Sequence, residues 1–326
     1  MVTIRDIAKK ANVAVSTVSY VLNNKKNVKQ ETRERILAVI REFDYHPRYV
    51  ARSLKTKKTL TIGIVLPDIT NLFFTETTRG IEDAANQYGY NVILCNTDKD
   101  PKKEMNYLNA LYSKDVDGII FLGSCFNYQL VQSKADTPII FINSKSGDNS
   151  SSISIDDIKG GYMATKHLLE KKQSEILFLT GSLSRSSFFE RMMGYIDALK
   201  SEGRSYNELL VQQCDVSFQG GYDKIYSIFN RNTEIKSIFA VSDVIALGAI
   251  RALTDIGLRV PEDISVVGYD DISISAMFIP SLTTVRQPKY RMGQRAVELL
   301  IKRISDSTLK SQNIIVEPEL IVRESS

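Results

Sequence analysis

Residues 3–23 read TIRDIAKKANVAVSTVSYVLN. Thr3 with Asp6 three residues on is a capping-box pattern. Ile4, Ile7, Ala8 and Ala11 recur at helical spacing, which predicts a short helix over 4–10. Ala11-Asn12-Val13 is the turn. The run VSTVSYVLN then gathers Val15, Val18, Val21 and Leu22 on one face and leaves Ser16, Thr17, Ser19 and Tyr20 outward. A third helix fits TRERILAVIREFDY, residues 32–45, with Ile36, Leu37, Val39, Ile40 and Phe43 on its apolar side, and it ends before Pro47. Two short helices, a tight turn and a bracing third helix make a helix-turn-helix unit. Its second helix has the size the major groove admits. The small hydroxyls of Ser16 and Thr17 can approach base edges, and Tyr20, one turn on, can reach a base or a phosphate.

Charge points the same way. Residues 1–60 carry fourteen Lys and Arg against five Asp and Glu, a net of +9, whereas the chain as a whole is only +4. The remainder is therefore net −5. A basic head on a mildly acidic body is the electrostatic footprint of nucleic-acid binding joined to a second task. Lys9, Lys10, Lys25, Lys26, Lys29, Arg33 and Arg35 surround the reading helix as phosphate contacts, which position a protein on DNA without reading sequence. A small helical domain with a solvated basic surface is the blander reading of the same pattern.

At 326 residues the chain is long enough for two or three domains, and its 43% hydrophobic and 25% charged fractions are those of a soluble protein. No window reaches the ~18 consecutive apolar residues a membrane span needs, and MVTIRDIAKKANVAV has no apolar signal core. The expectation is a cytoplasmic protein with no membrane partner. Cys95, Cys125 and Cys214 are widely spaced, and only His46 and His167 could join them, so no disulfide, metal site or cofactor is expected. After Ser326 no leucine heptads extend the body, which makes a dimer the expected assembly.

Beyond residue 60 short apolar strands alternate with helices. LTIGIVLP, NVILCN, DGIIFLG and PIIFIN read as strands, with helices over about 73–88, 101–113 and 126–134 between them. The pattern restarts at SISID and KGGYMATKHLLEK. It continues through EILFLTG, the helix FFERMMGYIDALKSEG, the strand LLVQQ and a helix over 218–230. KSIFAV, DVIALGAIRALTDIG and ISVVGYDD follow, then a late helix over 287–305 and closing strands over 312–322. The fold class is α/β. Two consecutive series mean two doubly wound parallel-sheet subdomains behind the helix-turn-helix head. No GxGxxG follows the first strand and no GxxxxGK[ST] occurs, so dinucleotide and P-loop chemistry lack their glycines. Nor is a nucleophile–base pair visible, and an enzyme is not expected. Open α/β sheets bind ligands at the carboxyl ends of their strands. With two such sheets face to face, the ligand belongs in the cleft between them.

The run TIRDIAKKANVAVSTVSYVLN, followed by VARSLKTKKT at residues 50–59, resembles the lactose-repressor (LacI) family of bacterial transcription regulators, and the likeness extends over essentially the whole chain. It implies a helix-turn-helix domain over 1–47, a hinge helix and linker over 48–60, and an effector-binding and dimerisation domain over 61–326. That body resembles a periplasmic sugar-binding protein. Its N-subdomain is expected at about 61–160 and 288–318, its C-subdomain at about 161–286 and 319–326, with crossings near 159–162, 284–290 and 317–321. The DNA contacts implied are Thr3, Ser16, Thr17, Tyr20, Asn23, Lys29, Arg48, Ala51, Leu54 and Lys55. Two hinge helices of a dimer enter the minor groove together, with Ala51 small enough for close packing and Leu54 wedged into the central base step. Ala14 and Val15 depart from the commoner polar start of the reading helix, which leaves base readout to Ser16, Thr17 and Tyr20.

For the cleft, strand-end polar residues and exposed aromatics are the candidates. Phe73 and Phe74 follow the first strand, and two adjacent phenylalanines are not expected to share one core there. The resemblance implies that such aromatics stack on a ligand ring and that Arg191, in ERMMGY, grips the ligand. Asn143, Arg185, Ser242, Asp243, Asp270 and Gln287 complete the set, Asp243 doubling as a candidate helix cap. A carboxylate and a guanidinium together suit vicinal hydroxyls. Relatives differ here: Asn143 stands where many carry an acid, Val216 where many carry an aromatic, and Lys172-Gln173 where Gly-His is usual. SLTTVRQPKYRMGQRAVELLIKRI is most like the ribose-repressor branch. The N-subdomain also resembles the catabolite-control branch, which binds a phosphorylated phosphocarrier protein. The function implied is a homodimeric repressor of sugar (in one reading ribose) uptake or catabolism genes. It binds a pseudo-palindromic double-stranded operator and is gated by a small-molecule effector, a sugar or sugar phosphate. The competing reading replaces that effector by the phosphocarrier protein.

Overall fold

The computed structural model describes residues 2–22, 28–45, 58–123, 137–144, 150–171, 175–229 and 235–326. They divide into two units, Met1–Thr59 and Leu60–Ser326.

The first unit contains helices α1 (Ile4–Lys10), α2 (Val15–Leu22) and α3 (Gln30–Glu42). The capping box forms: the Asp6 carboxylate accepts from the Thr3 backbone N–H at 2.8 Å and from its hydroxyl at 2.7 Å. Those bonds hold the Asp6 pKa below the usual carboxylate range. Asn12 takes a φ of 51° in the turn, a left-handed conformation that Asn tolerates better than most residues. Ile7, Ala8, Ala11, Val18, Val21, Ile36 and Val39 form the core. Full burial of each Ile or Val contributes about 1.5–3 kcal/mol, which matters in so small a unit. Two expected core residues lie outside it: Val15 is 41% and Leu37 40% exposed. Val15 opens α2 before the turn that meets α1. Leu37 sits about 100° round the helix from Ile36, off the stripe formed by Ile36, Val39 and Ile40. Helix α3 also begins two residues before the expected Thr32.

In the second unit the first sheet has the order β11-β5-β4-β3-β1-β2 and is parallel throughout. Its strands are β1 (Thr61–Leu66), β2 (Asn91–Asn96), β3 (Gly118–Leu122), β4 (Ile139–Ile142), β5 (Ser151–Ile155) and β11 (Asn313–Val316). Strand period fixes its two faces. Even-numbered Ile62, Ile64, Ile120, Leu122, Ile140 and Ile142 join the main core, on the side of α4 (Leu72–Gln87) and α10 (Lys289–Ser305). Odd-numbered Val65, Ile119, Phe121 and Phe141 join a separate core with Leu108 and Leu111 of α5 (Pro101–Ser113).

The second sheet has the order β12-β10-β9-β8-β6-β7, parallel except for the β10–β12 pair. Its strands are β6 (Ile176–Thr180), β7 (Val211–Gln213), β8 (Ser237–Ala240), β9 (Ser265–Asp270), β10 (Thr283–Arg286) and β12 (Glu319–Ile321). Around it lie α6 (Asp157–Lys171), α7 (Ser186–Ser201), α8 (Phe218–Phe229) and α9 (Asp243–Asp255). The chain passes from one sheet to the other at Asp156, at Gln287–Pro288 and at 317–318, so the closing segment splits between the two sheets. The expected strand LLVQQ is half formed. The Asn207 side chain caps a single 3₁₀ turn over Glu208–Leu210, leaving Leu209 80% exposed and only Val211–Gln213 extended.

Three helix pairs cross by one device. Gly80 and Gly293 meet in α4/α10, Gly161 and Gly194 in α6/α7, Gly221 and Gly248 in α8/α9. A Cβ at any of the six would lie 2.0–2.3 Å from a carbonyl oxygen of the facing helix. The crossings are backbone on backbone, and no side chain fits between.

Candidate functional site

On the head, Ser16 and Tyr20 of α2 are exposed and Thr17 and Ser19 are half-buried, because Val18 and Val21 turn inward and anchor the helix. Val15, which the apolar pattern assigned inward, joins this outward face. Thr3 is exposed, with its hydroxyl held by Asp6. Lys9, Lys10, Lys29 and Arg35 are exposed and Arg33 is half-buried. Lys10 pairs with Glu42 at 3.1 Å, an exposed pair of little energetic weight. Asn23, Lys25, Lys26, His46 and the hinge positions Arg48, Ala51, Leu54 and Lys55 lie outside the described residues, as do Cys125, the 126–134 segment and Lys172-Gln173.

In the body the carboxyl ends of the two sheets face each other. Asn143, following β4, donates its amide to Gln287 at 2.7 Å, and Gln287 donates to the Asp270 carboxylate at the end of β9, also at 2.7 Å. Glu76 of α4 accepts the Ser273 backbone N–H at 3.0 Å and pairs with the Lys289 ammonium at 3.3 Å. Lys289 in turn donates to the carbonyls of Asp270 and Asp271. Arg185, in the loop after β6, reaches the Gly123 carbonyl after β3 at 3.5 Å. Asn143, Asp270 and Asp271 have φ of 51°, 122° and 51°. Non-glycine residues in that region cost energy, and such strain concentrates at functional sites.

Arg191 lies beneath this rim, almost wholly buried. Its Nε donates to Asp157 at 2.8 Å, its Nη1 to the Val241 carbonyl, and its guanidinium stacks 3.6 Å from the Tyr269 ring centroid. Asp270 is 4.0 Å away. The glycine crossing of α6 and α7 makes the pair possible: Gly161 rests on the Arg191 backbone, with Asp157 one turn earlier on α6. Burial raises the pKa of Asp157 despite Arg191, and pushes Asp270 up to about 7 against the opposing pull of Arg191. Asp243 is fully buried. Its oxygens accept from Ile272 N–H at 2.9 Å, Ser275 Oγ at 2.7 Å and Thr284 Oγ1. It therefore fastens the 272–275 loop to α9 and β10, and caps no helix by its side chain. Burial raises its pKa too.

Phe73 and Phe74 differ from expectation. Both are buried, at 7% and 8% exposure, in one core, edge to face at 5.2 Å. Successive residues at a helix start are only about 100° apart, so both fit a wide apolar stripe. Phe74 also lies against Gly123 at the end of β3.

Six buried side-chain polar atoms have no hydrogen-bond partner among the described residues: Asn143 Oδ1, Thr180 Oγ1 and Ser242 Oγ at the carboxyl ends of strands, and Thr78 Oγ1, Ser237 Oγ and Tyr269 Oη. Buried polar atoms are nearly always paired, so the three at this mouth make it a candidate place for ordered water or a ligand. Sequence reasoning found Asn143 and Ser242. It missed Thr180, which the strand-end rule covers, and Lys289, two residues after Gln287 in the same crossover. Asp157 and Tyr269 carried no signal of their own. Among the described residues no group of His, Cys, Asp and Glu could hold a metal ion, and no helix is long and apolar enough to cross a membrane.

Residues 3–48 match the family model for bacterial regulatory proteins of the lacI family. Residues 59–324 match that for periplasmic binding proteins and the sugar binding domain of the LacI family. The chain belongs to the LacI family. This LacI-family protein is 39% identical to the HTH-type transcriptional regulator RegA of Clostridium saccharobutylicum, over 99% of each chain. Its fold is similar to that of the lac repressor dimer bound to operator and the anti-inducer ONPF, with a TM-score of 0.88, 28% identity, and 99% and 98% of the two chains covered. A LacI-family regulator from Enterococcus faecium with bound ribose matches at a TM-score of 0.75 and 31% identity, over 82% of this chain and 98% of that one. The protein is thus a DNA-binding transcriptional repressor with an effector-binding body, and the family is not one of enzymes.

Proposed function

We propose that this LacI-family repressor acts as a cytoplasmic homodimer on a pseudo-palindromic operator of sugar uptake or catabolism genes, and that a sugar in the cleft gates it. The observation that carries the reading is the trio of unpartnered buried atoms, Asn143 Oδ1, Thr180 Oγ1 and Ser242 Oγ, beside the strained Asn143–Gln287–Asp270 chain. A ribose-bound relative supports a pentose. In this reading Asn143, Arg185, Ser242, Asp270 and Gln287 contact the effector and Arg191 approaches it from below. Phe73 and Phe74 form the apolar wall. Asp243 positions the 272–275 loop and makes no contact of its own.

On the head, Ser16, Thr17 and Tyr20 read bases. Thr3, Asn23, Lys29, Arg48 and Lys55 hold phosphates or sugars, and Ala51 and Leu54 form the minor-groove wedge. A dimer presents two heads to two half-sites. A sugar that favours one cleft geometry shifts the population of DNA-competent dimers by its differential affinity. The test is a thermal-shift screen of the full chain against pentoses and hexoses, with hits carried into operator-binding titrations. A stabilising sugar that also changes operator affinity is the expected result. Stabilisation only by a phosphorylated phosphocarrier protein would favour the competing modulator.

A further inference from the structure

The second unit begins at Leu60, and that residue is held by its backbone and its side chain. Its N–H donates to the Asp117 carboxylate, just before β3, at 3.0 Å, and its carbonyl accepts the N–H of Asn91, which opens β2, at 2.8 Å. Its side chain packs against the main core. Leu60 has a φ of 50°, a left-handed conformation that a bulky side chain keeps only where its surroundings fix it. Asp117 is fixed in turn. Its N–H donates to the Thr61 carbonyl at 2.9 Å, and its carboxylate also accepts the hydroxyl of Tyr90, a buried residue just past α4. Burial, with the Asp117 charge beside it, pushes that phenol up to about 12, so it stays a donor. This clamp stands at the amino ends of β1, β2 and β3, whereas the cleft residues stand at the carboxyl ends of the strands.

We infer that Asp117 is a positioning residue for operator recognition: by clamping Leu60 in its left-handed conformation it fixes the direction in which the linker leaves the body, and so the half-site spacing a dimer accepts. The inference rests on the dimeric operator reading above and assigns it a residue that touches no DNA. In that reading Lys55 is the DNA contact nearest the body. The five chain steps from Lys55 to Leu60 span at most about 18 Å. A tether that short, started in one direction, narrows the separations two heads can take. Freed at its base it samples more conformations, and ordering it on DNA then costs affinity.

The experiment is anisotropy titration of the full chain against three duplexes: one selected from random sequences by the parent protein, the same duplex with one base pair inserted between its half-sites, and a scrambled duplex of equal length. The insertion should weaken the parent by at least about tenfold. Asp117→Ala should bind the selected duplex about five- to tenfold more weakly, lose most of the insertion penalty, and bind the scrambled duplex as the parent does. Asp117→Asn keeps an acceptor for the Leu60 N–H and should keep the penalty. Leu60→Gly frees the backbone at the same point and should also lose most of the penalty, which carries the test if Asp117→Ala does not fold. A variant folded by circular dichroism, Asp117→Ala or Leu60→Gly, that retains the full insertion penalty, or that weakens selected and scrambled duplexes equally, would overturn the inference and leave the dimeric reading intact. A selected duplex without paired half-sites, or a parent indifferent to the insertion, would overturn both.

Discussion

Replacing Arg191 by alanine removes a guanidinium that serves three partners at once. Asp157 loses its countercharge at 2.8 Å, the Val241 carbonyl loses a donor, and the Tyr269 ring loses the plane stacked 3.6 Å from its centroid. Both charged side chains are about 4% exposed, so water cannot take over. Breaking a buried pair by deleting one partner typically costs about 3–5 kcal/mol, which for a body of this size lowers the melting temperature by roughly 10 °C. The loss should also depend on pH. The Asp157 pKa is already raised by burial, and Arg191 holds it back. Without Arg191 it rises further. A raised carboxyl pKa contributes stability at low pH that disappears as pH rises through the folded-state value. The gap between parent and variant should therefore widen as pH rises above about 4, the ordinary carboxylate value. Urea unfolding of the full chain followed by circular dichroism across that range measures it. The double change Arg191→Met with Asp157→Leu should recover most of the loss, because it removes both charges. A single variant within about 1 kcal/mol of the parent, or a gap that narrows as pH rises, would refute the assignment of Arg191 and Asp157 as one buried unit.

Other outcomes can be checked alongside. Gly248→Ala puts a Cβ 2.0 Å from the Phe218 carbonyl oxygen; a loss of at least about 1–3 kcal/mol in the urea midpoint is expected, while Gly203→Ala, with open space around it but a φ of 69°, should cost less. Asp270, with its pKa pushed up to about 7, contributes stability below pH 4 that fades as pH rises through 7; Asp270→Asn should flatten stability between pH 5 and 8. Tyr20→Ala should relax base preference in a selection from random duplexes, whereas Lys29→Ala should weaken all duplexes alike and reduce the slope of log affinity on log salt by about one. Leu54→Ala should weaken operator binding and leave nonspecific binding nearly unchanged.

Much of this fold is legible locally. The head announces itself because its helices are short, capped and periodic, and the alternation of strands and helices fixes both sheets. What escapes is set by three-dimensional convergence. Phe73 and Phe74 look like exposed aromatics because adjacent residues rarely share a core, yet a helix start lets both turn inward. Val15 and Leu37 match the apolar period, but nothing local says which end of a short helix meets its neighbour. Asp243 stands at a strand end like the candidate site residues around it, and only the fold shows two donors from the 272–275 loop and one from β10 closing on it. Asp157 and Arg191 lie in separate helices, and their pairing follows from reciprocal glycines that a sequence displays without saying which face each other. Cleft residues at strand ends were legible because the topology of an open α/β sheet places them.

In the proposed function the cleft and the head are coupled. Operator affinity of the full chain should be measured by fluorescence anisotropy with and without a saturating sugar found in the thermal-shift screen, and sugar affinity with and without saturating operator. The expected result is a change in both, in the same direction and by the same factor, since linkage is reciprocal. Unchanged operator affinity at full sugar occupancy would contradict the account.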